Sequence, residues 1–510
     1  MPIFDITLPN SIAKVLRLPK NNVRRQQIRV LKKLLRKAQF TEFGQKFQFD
    51  SILLSKHPGK KFQELVPTYD YDRIHNEWWH KTLEGHVDVC WPGKIKYYAL
   101  SSGTSGAASK YIPITNDLLK GNKNAMIKQL FSLRHYEGIP FTSLGRGWLT
   151  LGGSTDLQKG EGYYAGDLSG ITAKKSPFWF QPFYKPGKKI AKQRDWNRKL
   201  EEIVTKAPEW DISFVIGVPA WIQLCIEQII ERYKLNNIHD IWPNLTFFVH
   251  GGVSFEPYKK GFEKLLGKPL TYIETYLASE GFLAYQDKQF TKGMRLVTNE
   301  HIYFEFVPFD EKNFTPDCEM VPNPEVLMIH EVEENKDYAI LISTAAGAWR
   351  YLIGDTVRFV DKENCEIIIT GRTKHFLSLV GEHLSVDNMN KAIQLVGEEL
   401  NVSIPEFTVA GVPHGNFFAH HWYVACNDVV DAELLRKSID EKLKELNDDY
   451  AVERNSALKE VFLDVLTEQQ FLDFMAAKGK VGGQHKFPRV LKGQMLEDWQ
   501  QFLKGNFGRD

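Results

Sequence analysis

At 510 residues the chain exceeds what one hydrophobic core usually organises, and its 43% hydrophobic, 13% aromatic and 25% charged residues exclude disorder as the default. Its 65 Lys and Arg stand against 63 Asp and Glu, a formal net charge of +2, so no whole-molecule field draws it onto nucleic acid or an anionic membrane. Cys90, Cys225, Cys318, Cys365 and Cys426 are scattered without the spacing of a zinc site and read as reduced thiols, which leaves a small molecule as the expected substrate of a protein with at least two domains.

The opening residues, Met1 to Asp5, lack a charged segment leading into an apolar one, so no secretory signal is expected and the protein is assigned to the cytoplasm. Residues 22 to 38 put Val23, Ile28, Leu31, Leu34, Leu35 and Ala38 roughly on one helical face, with Arg24, Arg25, Lys32, Lys33, Arg36 and Lys37 largely opposite. Such a face suits a membrane or RNA. Basic runs are more often simply solvated, however, and no second basic patch supports the sharper reading, so a surface helix is expected, with neither nucleic acid nor membrane as partner.

From about 95 to 370, short β-rich runs (Ile95–Tyr98, Trp148–Leu151, Leu245–Val249, Ile302–Val307, Ala339–Ser343) alternate with helical stretches such as Trp221–Tyr233 and Tyr258–Leu266. That alternation predicts an α/β body. The nearly apolar stretch Ile212 to Ile226 contains Pro219 and is too short to span a bilayer, so it is assigned to buried core. After Gly371-Arg372 the pattern becomes helix (Val386–Leu400), strands (Thr408–Val412, Trp422–Cys426), helix (Asp431–Leu446) and strand (Glu460–Val465), a smaller α+β domain. No repeat of fixed period is visible.

Three segments carry groups suited to chemistry. Leu100 to Lys110 follows a β-rich run and alternates hydroxyls with glycines, so amides and Ser/Thr side chains can hold phosphate oxygens while Lys110 adds a cation. Its spacing fits neither a Walker loop nor a dinucleotide fingerprint, and alone such a loop is more often just a turn. Tyr272 to Gly281 is strand-like and ends in Ser279 and Glu280, where a carboxylate can carry Mg2+ on a nucleotide and Tyr276 can face a base; alone, Glu280 reads as a surface residue. In Trp349 to Arg358, Gly354 turns the chain so that Asp355 can accept from both hydroxyls of a ribose, though Gly-Asp is also a common turn.

In their order and distance these pieces resemble the adenylate-forming superfamily, and within it the acyl-acid amido synthetase family, similar to plant enzymes that join auxin or jasmonate to amino acids. The resemblance rests on Ser101-Ser102-Gly103-Thr104-Ser105-Gly106 with Lys110-Tyr111-Ile112-Pro113, Tyr351-x-x-Gly354-Asp355, Gly371-Arg372-Thr373-Lys374, Gly381-Glu382-His383-Leu384 and Gly483 to Arg489. Thr41-Glu42-Phe43-Gly44 and Val66-Pro67-Thr68-Tyr69 extend it over nearly the whole chain. Lys374 stands where the wider superfamily usually has Asp, which favours the narrower family over acyl-CoA ligases.

The resemblance implies an α/β fold with a large multi-sheet adenylating domain, residues 1–370, that binds ATP and an acyl acid. A hinge at 371–374 and a smaller α+β lid, 375–510, complete it. The implied activity is adenylation of a small carboxylic acid and transfer of the acyl group to an amine, that of an amino acid, by a cytoplasmic monomer using ATP and Mg2+. A coenzyme A ligase and a non-catalytic nucleotide-binding protein are the alternatives. Carried over by position, Ser101, Ser102, Gly103, Thr104 and Ser105 would form the phosphate loop, and Gly251, Gly252 and Val253 would line the adenine against which Tyr276 packs. Ser279 and Glu280 would position ATP and its metal, Asp355 the ribose, and Arg372 would reach the nucleotide from the hinge. Lys486, or alternatively Lys492, would be the lid lysine for adenylation.

Overall fold

The basic segment near the start of the chain folds as helix α1 (Val23–Ala38) in the computed structural model. The structure describes residues 23–101, 110–137, 141–176, 180–252, 255–291, 293–315, 319–373, 376–382, 384–415, 417–426, 428–478 and 487–505. Val30, Leu31, Leu34, Leu35 and Ala38 recur at helical spacing and are buried, while Arg24, Arg25, Arg29 and Arg36 face outward. Gln27 sits among the buried side chains and donates to the Thr298 and Ile302 carbonyls at 2.8 and 3.1 Å. It accepts from the Phe304 amide at 2.7 Å, so the helix is pinned to the strand 302–308 as well as packed on it. A short helix, α2 (Pro58–Leu65), begins on a proline and lies beside α1.

Strands β1 (Tyr97–Ser101) and β2 (Lys110–Ile114) pair antiparallel with Ser101 opposite Lys110, so residues 102–109 connect their adjoining ends. The main sheet has twelve described strands. In one half, β3 (Gly147–Thr150), β4 (Ile212–Gly217), β5 (Phe247–Gly251) and β6 (Thr271–Ala278) lie side by side and parallel. Helix α3 (Pro219–Tyr233) makes the crossover from β4 to β5 that parallel neighbours require. The stretch read as buried core is therefore the end-to-end pair β4 and α3. In the other half, β7 (Gly281–Tyr285), β8 (Tyr351–Asp361) and β9 (Glu366–Arg372) belong to an antiparallel run. The neighbouring strand, Asp337–Thr344, is buried from Tyr338 onward, in keeping with its apolar run over 338–342.

One local expectation changes. Gly354-Asp355 lies inside the long strand β8, not in a turn. Gly354 takes φ +93°, and the pairing of β8 with Asp337–Thr344 shifts there, so the glycine makes a bulge that re-aims the chain before Asp355.

Beyond Arg372 the chain builds helices α4 (Val386–Leu400), α5 (Ala432–Leu446) and α6 (Asp448–Asn455) against β10 (Phe407–His414), β11 (Phe417–Ala425) and β12 (Val461–Leu466). Buried Trp422, Val396, Leu443 and Tyr450 form a core continuous with that around Ile226 and Phe248. Trp221 of α3 donates its indole N–H to both carboxyl oxygens of Glu453 in α6, each at 3.1 Å. The fold is thus mixed α/β, with a large multi-sheet N-terminal part and a smaller α+β C-terminal part.

Candidate active site

Strands β4, β5 and β6 bring their carboxyl ends, Gly217, Gly251 and Ala278, to one edge of the sheet, the edge where ligands sit in open parallel sheets. A surface cleft of about 450 Å³ beside Arg146, Lys185 and Asp211 opens at the amino ends of β3 and β4, the wrong edge for that purpose. At the carboxyl edge the backbones crowd together. Gly251 pairs with Thr275, and a Cβ on it would lie 2.3 Å from the Thr275 carbonyl oxygen, while Gly252 takes φ +86°. Only glycine allows the two strands to approach this closely at Gly251 and the chain to turn as it does at Gly252.

Immediately beyond β6, Ser279 and Glu280 turn the chain into β7, with Ala278 paired to Gly281. Glu280 is buried although it is a loop carboxylate. Burial pushes its pKa up, Asp355 adds to the push, and Lys110 and Arg372 oppose it. The Tyr351 hydroxyl shares a hydrogen bond with Glu280 and is itself driven well above its usual range, first by burial. A carboxylate whose charge is disfavoured in this way gains most from a nearby cation.

Asp355 is held from two sides. Register sets it opposite Arg372 across β8 and β9, and Arg372 Nε lies 2.8 Å from Asp355 Oδ1. The Tyr276 hydroxyl donates to Asp355 Oδ2 at 2.5 Å. Burial and then Asp355 keep that phenol protonated far above the ordinary tyrosine range, so it acts as a donor. Burial alone would depress the Arg372 guanidinium, but Asp355, Tyr276, Glu280 and Tyr351 outweigh it and the net shift is upward. Thr373 closes the corner by donating its amide to the Gly354 carbonyl at 2.7 Å.

The structure therefore brings Tyr276, Glu280, Asp355 and Arg372 into one buried cluster, with Gly251 one strand away from the Tyr276 strand. Ser279 flanks Glu280, and Ser101 lies opposite Lys110, which attracts Glu280 electrostatically and sits 5.2 Å over the Tyr71 ring. Ser102, Gly103, Thr104, Ser105, Val253 and Lys486 lie outside the described residues, as does Lys374. Lys492, the other lysine considered, is the residue before the helix Gly493–Leu503.

Tyr351, whose hydroxyl meets Glu280, has no role assigned from sequence, whereas Lys110 is already read there as a cation for phosphate. The alternation of a strand would have put Tyr351 on the Asp355 side, which is the signal that was available. Glu382, in a motif the resemblance used, proves to be local architecture. It accepts backbone N–H groups from Leu379, Val380 and Gly381 and lies 2.8 Å from His420 Nε2, both side chains being fully buried.

The donor set is compatible with a nucleotide: a carboxylate fixed by Tyr276 and Arg372 could accept hydroxyl hydrogens, and a guanidinium and a second carboxylate lie beside it. Among the described residues no three His, Cys, Asp or Glu gather to hold a metal unaided. A dication would rest on Glu280 together with phosphate oxygens, the usual manner of Mg2+, and the buried carboxylate suits it.

Comparison with known proteins gives three matched family models: the GH3 family N-terminal domain over residues 13–202, the GH3 family central domain over 295–369 and the GH3 family C-terminal domain over 387–494. Indole-3-acetic acid-amido synthetase GH3.4 of Arabidopsis thaliana is 23% identical over 321 residues, 58% of this chain and 50% of that protein. Indole-3-acetic acid-amido synthetase GH3.2 of the same plant is 24% identical over 204 residues, 38% of this chain and 35% of that protein. The chain thus spans half or less of the length of these curated relatives, by the 50% and 35% matched. Among solved structures, GH3.15 acyl acid amido synthetase superposes with a TM-score of 0.60 at 18% identity, covering 99% of this chain and 98% of that one. A 2-hydroxyisobutyryl-CoA ligase in complex with 2-HIB-AMP and CoA superposes at 0.57 with 12% identity, covering 95% and 94%. At these identities the solved structures share the fold.

Proposed function

The chain belongs to the GH3 family, and from that premise we propose that it is an ATP-dependent ligase that adenylates a small carboxylic acid, releases pyrophosphate, and transfers the acyl group to an amine, that of an amino acid. The observation that carries this reading is the convergence of Glu280, Asp355 and Arg372 in one buried cluster at the carboxyl edge of the parallel strands.

A carboxylate is a poor acyl donor because its leaving group would be oxide. Replacing that oxygen with AMP solves the problem, but in-line attack on the α-phosphate brings anions together. Asp355, fixed by Tyr276 and Arg372, accepts from the ribose hydroxyls and so sets the angle of the α-phosphate. Gly251, Gly252 and Val253 line the adenine, with Tyr276 at its border. The hydroxyls of Ser101, Ser102, Thr104 and Ser105 and the amide of Gly103 hold phosphate oxygens, and Ser279 supports the turn that carries Glu280. Glu280 is the residue that would hold Mg2+, which when bound would supply charge neutralisation at the phosphoryl oxygens. Arg372 and the lid lysine, Lys486, add positive charge where negative charge grows.

In the second half-reaction a neutral amine attacks the acyl carbon and AMP leaves. Residues 371–374 act as a hinge between a body, 1–370, and a lid, 375–510, whose closure keeps water from the waiting adenylate. The enzyme works as a cytoplasmic monomer. Its buried free thiols Cys90, Cys225, Cys365 and Cys426 support that compartment, and no described helix is long and apolar enough to cross a membrane.

Hydroxylamine trapping across a carboxylic acid library tests the reading, because it reports adenylation whatever the natural acceptor is. A hydroxamate from at least one acid, and an amide mass when an amino acid replaces hydroxylamine, are expected. A thioester with coenzyme A in place of any amide would overturn the proposed acceptor.

A further inference from the structure

The basic face of α1 does not stand alone. Packing brings Lys56, His57 and Lys60, at the start of α2, against Arg24, Arg25, Arg29 and Lys32, and the two segments enclose a groove of about 560 Å³ floored by Pro58, Gly59, Ile28 and Met328. We propose that this groove, which shares no lining residue with the nucleotide cluster, binds a compact organic polyphosphate.

Charge is the first argument. Among the described residues no carboxylate lines the groove, and none of Arg24, Arg29, Lys32, Lys56 and Lys60 forms an ion pair with a described acidic residue. Lys61, next in sequence, shows the ordinary alternative by pairing with Glu64 at 3.0 Å. Arg25, Arg29 and Lys32 are spaced so that all three rise from one side of α1, where like charges repel. In a chain whose net charge is only +2, so many cations facing one another mark a local device, not a general basicity. Arg24 and Lys60 also help to hold the pKa of His330 below its usual value, after burial, so the field extends beyond the lining itself.

Backbone geometry adds a second argument. Helix α2 begins at the groove on Pro58, which has no N–H, and without a side-chain cap from His57, so the amides of Gly59 and Lys60 are left without a capping side chain. Beneath Gly59 lies the Tyr303 hydroxyl, fully buried and without a hydrogen-bond partner, 3.4 Å from where a Cβ on Gly59 would be.

Size and packing choose the ligand. Three guanidinium groups and three ammonium groups from two sides exceed what one phosphate can use, and guanidinium forks suit phosphate oxygens. The volume is that of a small-molecule site and leaves no extended track for a polynucleotide. Insertion into a bilayer is excluded by α1 itself, whose apolar face, Val30, Leu31, Leu34 and Leu35, is already in the core.

Isothermal titration of the full chain with inositol hexakisphosphate is the test, using wild type, the double variant Arg29→Glu/Lys60→Glu, and Asp355→Ala. Wild type and Asp355→Ala are expected to bind one equivalent, weakening as salt rises, whereas the charge-reversed protein loses about tenfold or more in affinity with an unchanged melting temperature. Equal binding by the charge-reversed protein, or loss of binding in Asp355→Ala alone, would overturn the proposal, the latter by moving the ligand to the nucleotide cluster. So would co-sedimentation with phosphoinositide-containing phosphatidylcholine vesicles without binding of the free compound, since the ligand would then be a membrane headgroup.

Discussion

Glu280 is the residue whose environment says most about its role. A carboxylate on an exposed turn would titrate normally, but here burial and then Asp355 raise its pKa, so the neutral form persists above the usual glutamate range in the free protein. The carboxylate that a metal needs is present above that raised value and is lost as pH falls through it. The acid limb of kcat/KM in wild type is therefore expected at higher pH than an ordinary glutamate gives, and Glu280→Gln is expected to flatten that limb while raising the Mg2+ concentration needed for half-maximal rate. A pH series at several Mg2+ concentrations checks both. At this scale much was legible. Glu280 and Asp355 stand out only weakly by residue type beside Gly and Ser, and the family resemblance is what singles them out together with Arg372. Tyr351 does not stand out, because a tyrosine in an apolar run looks like core until its hydroxyl is seen to meet Glu280.

Elements were legible where periodicity is local, and illegible where a partner comes from elsewhere in the chain. Val386–Leu400 matches its expected bounds because one helix carries the whole pattern. The bulge at Gly354 was missed because a glycine announces its φ but not whether a strand continues past it. The second basic patch escaped notice because Lys56 to Lys60 meets α1 only after packing. The Trp221–Glu453 contact between α3 and α6 is of the same kind, and it makes a prediction. Burial, despite the donors Trp221 and Ser456 and with Glu382 and Asp449 adding to it, raises Glu453 from 4.5 to about 8. The folded chain then holds a proton that the unfolded chain has released, so stability falls as pH rises from the unfolded value through about 8. Melting temperatures between about pH 5 and pH 9 are expected to drop more steeply for wild type than for Glu453→Gln, whose side chain keeps an acceptor for Trp221 but cannot ionise.

Across the whole molecule, long-range ties hold the body in the shape that the cluster needs. Arg350 Nε lies 3.1 Å from Glu305 Oε2, and its guanidinium also donates to the Val66 carbonyl at 2.6 Å and the Gln63 carbonyl at 3.2 Å, joining the N-terminal helices to the sheet one residue before Tyr351. Both charged side chains are almost completely buried. Glu305→Ala would leave the guanidinium buried and uncompensated, so a loss of about 3–5 kcal/mol is expected in denaturant unfolding. A structural tie of this kind lowers stability when cut, whereas a residue of the reacting centre lowers turnover. That contrast defines the most direct measurement: ATP–pyrophosphate exchange dependent on an added carboxylic acid, compared between wild type and Asp355→Ala at matched folded concentration. The account predicts exchange in wild type and a fall of about 100-fold or more in the variant, with the fold intact, as expected when a positioning contact to the reacting nucleotide is removed. Undiminished exchange in Asp355→Ala would contradict it.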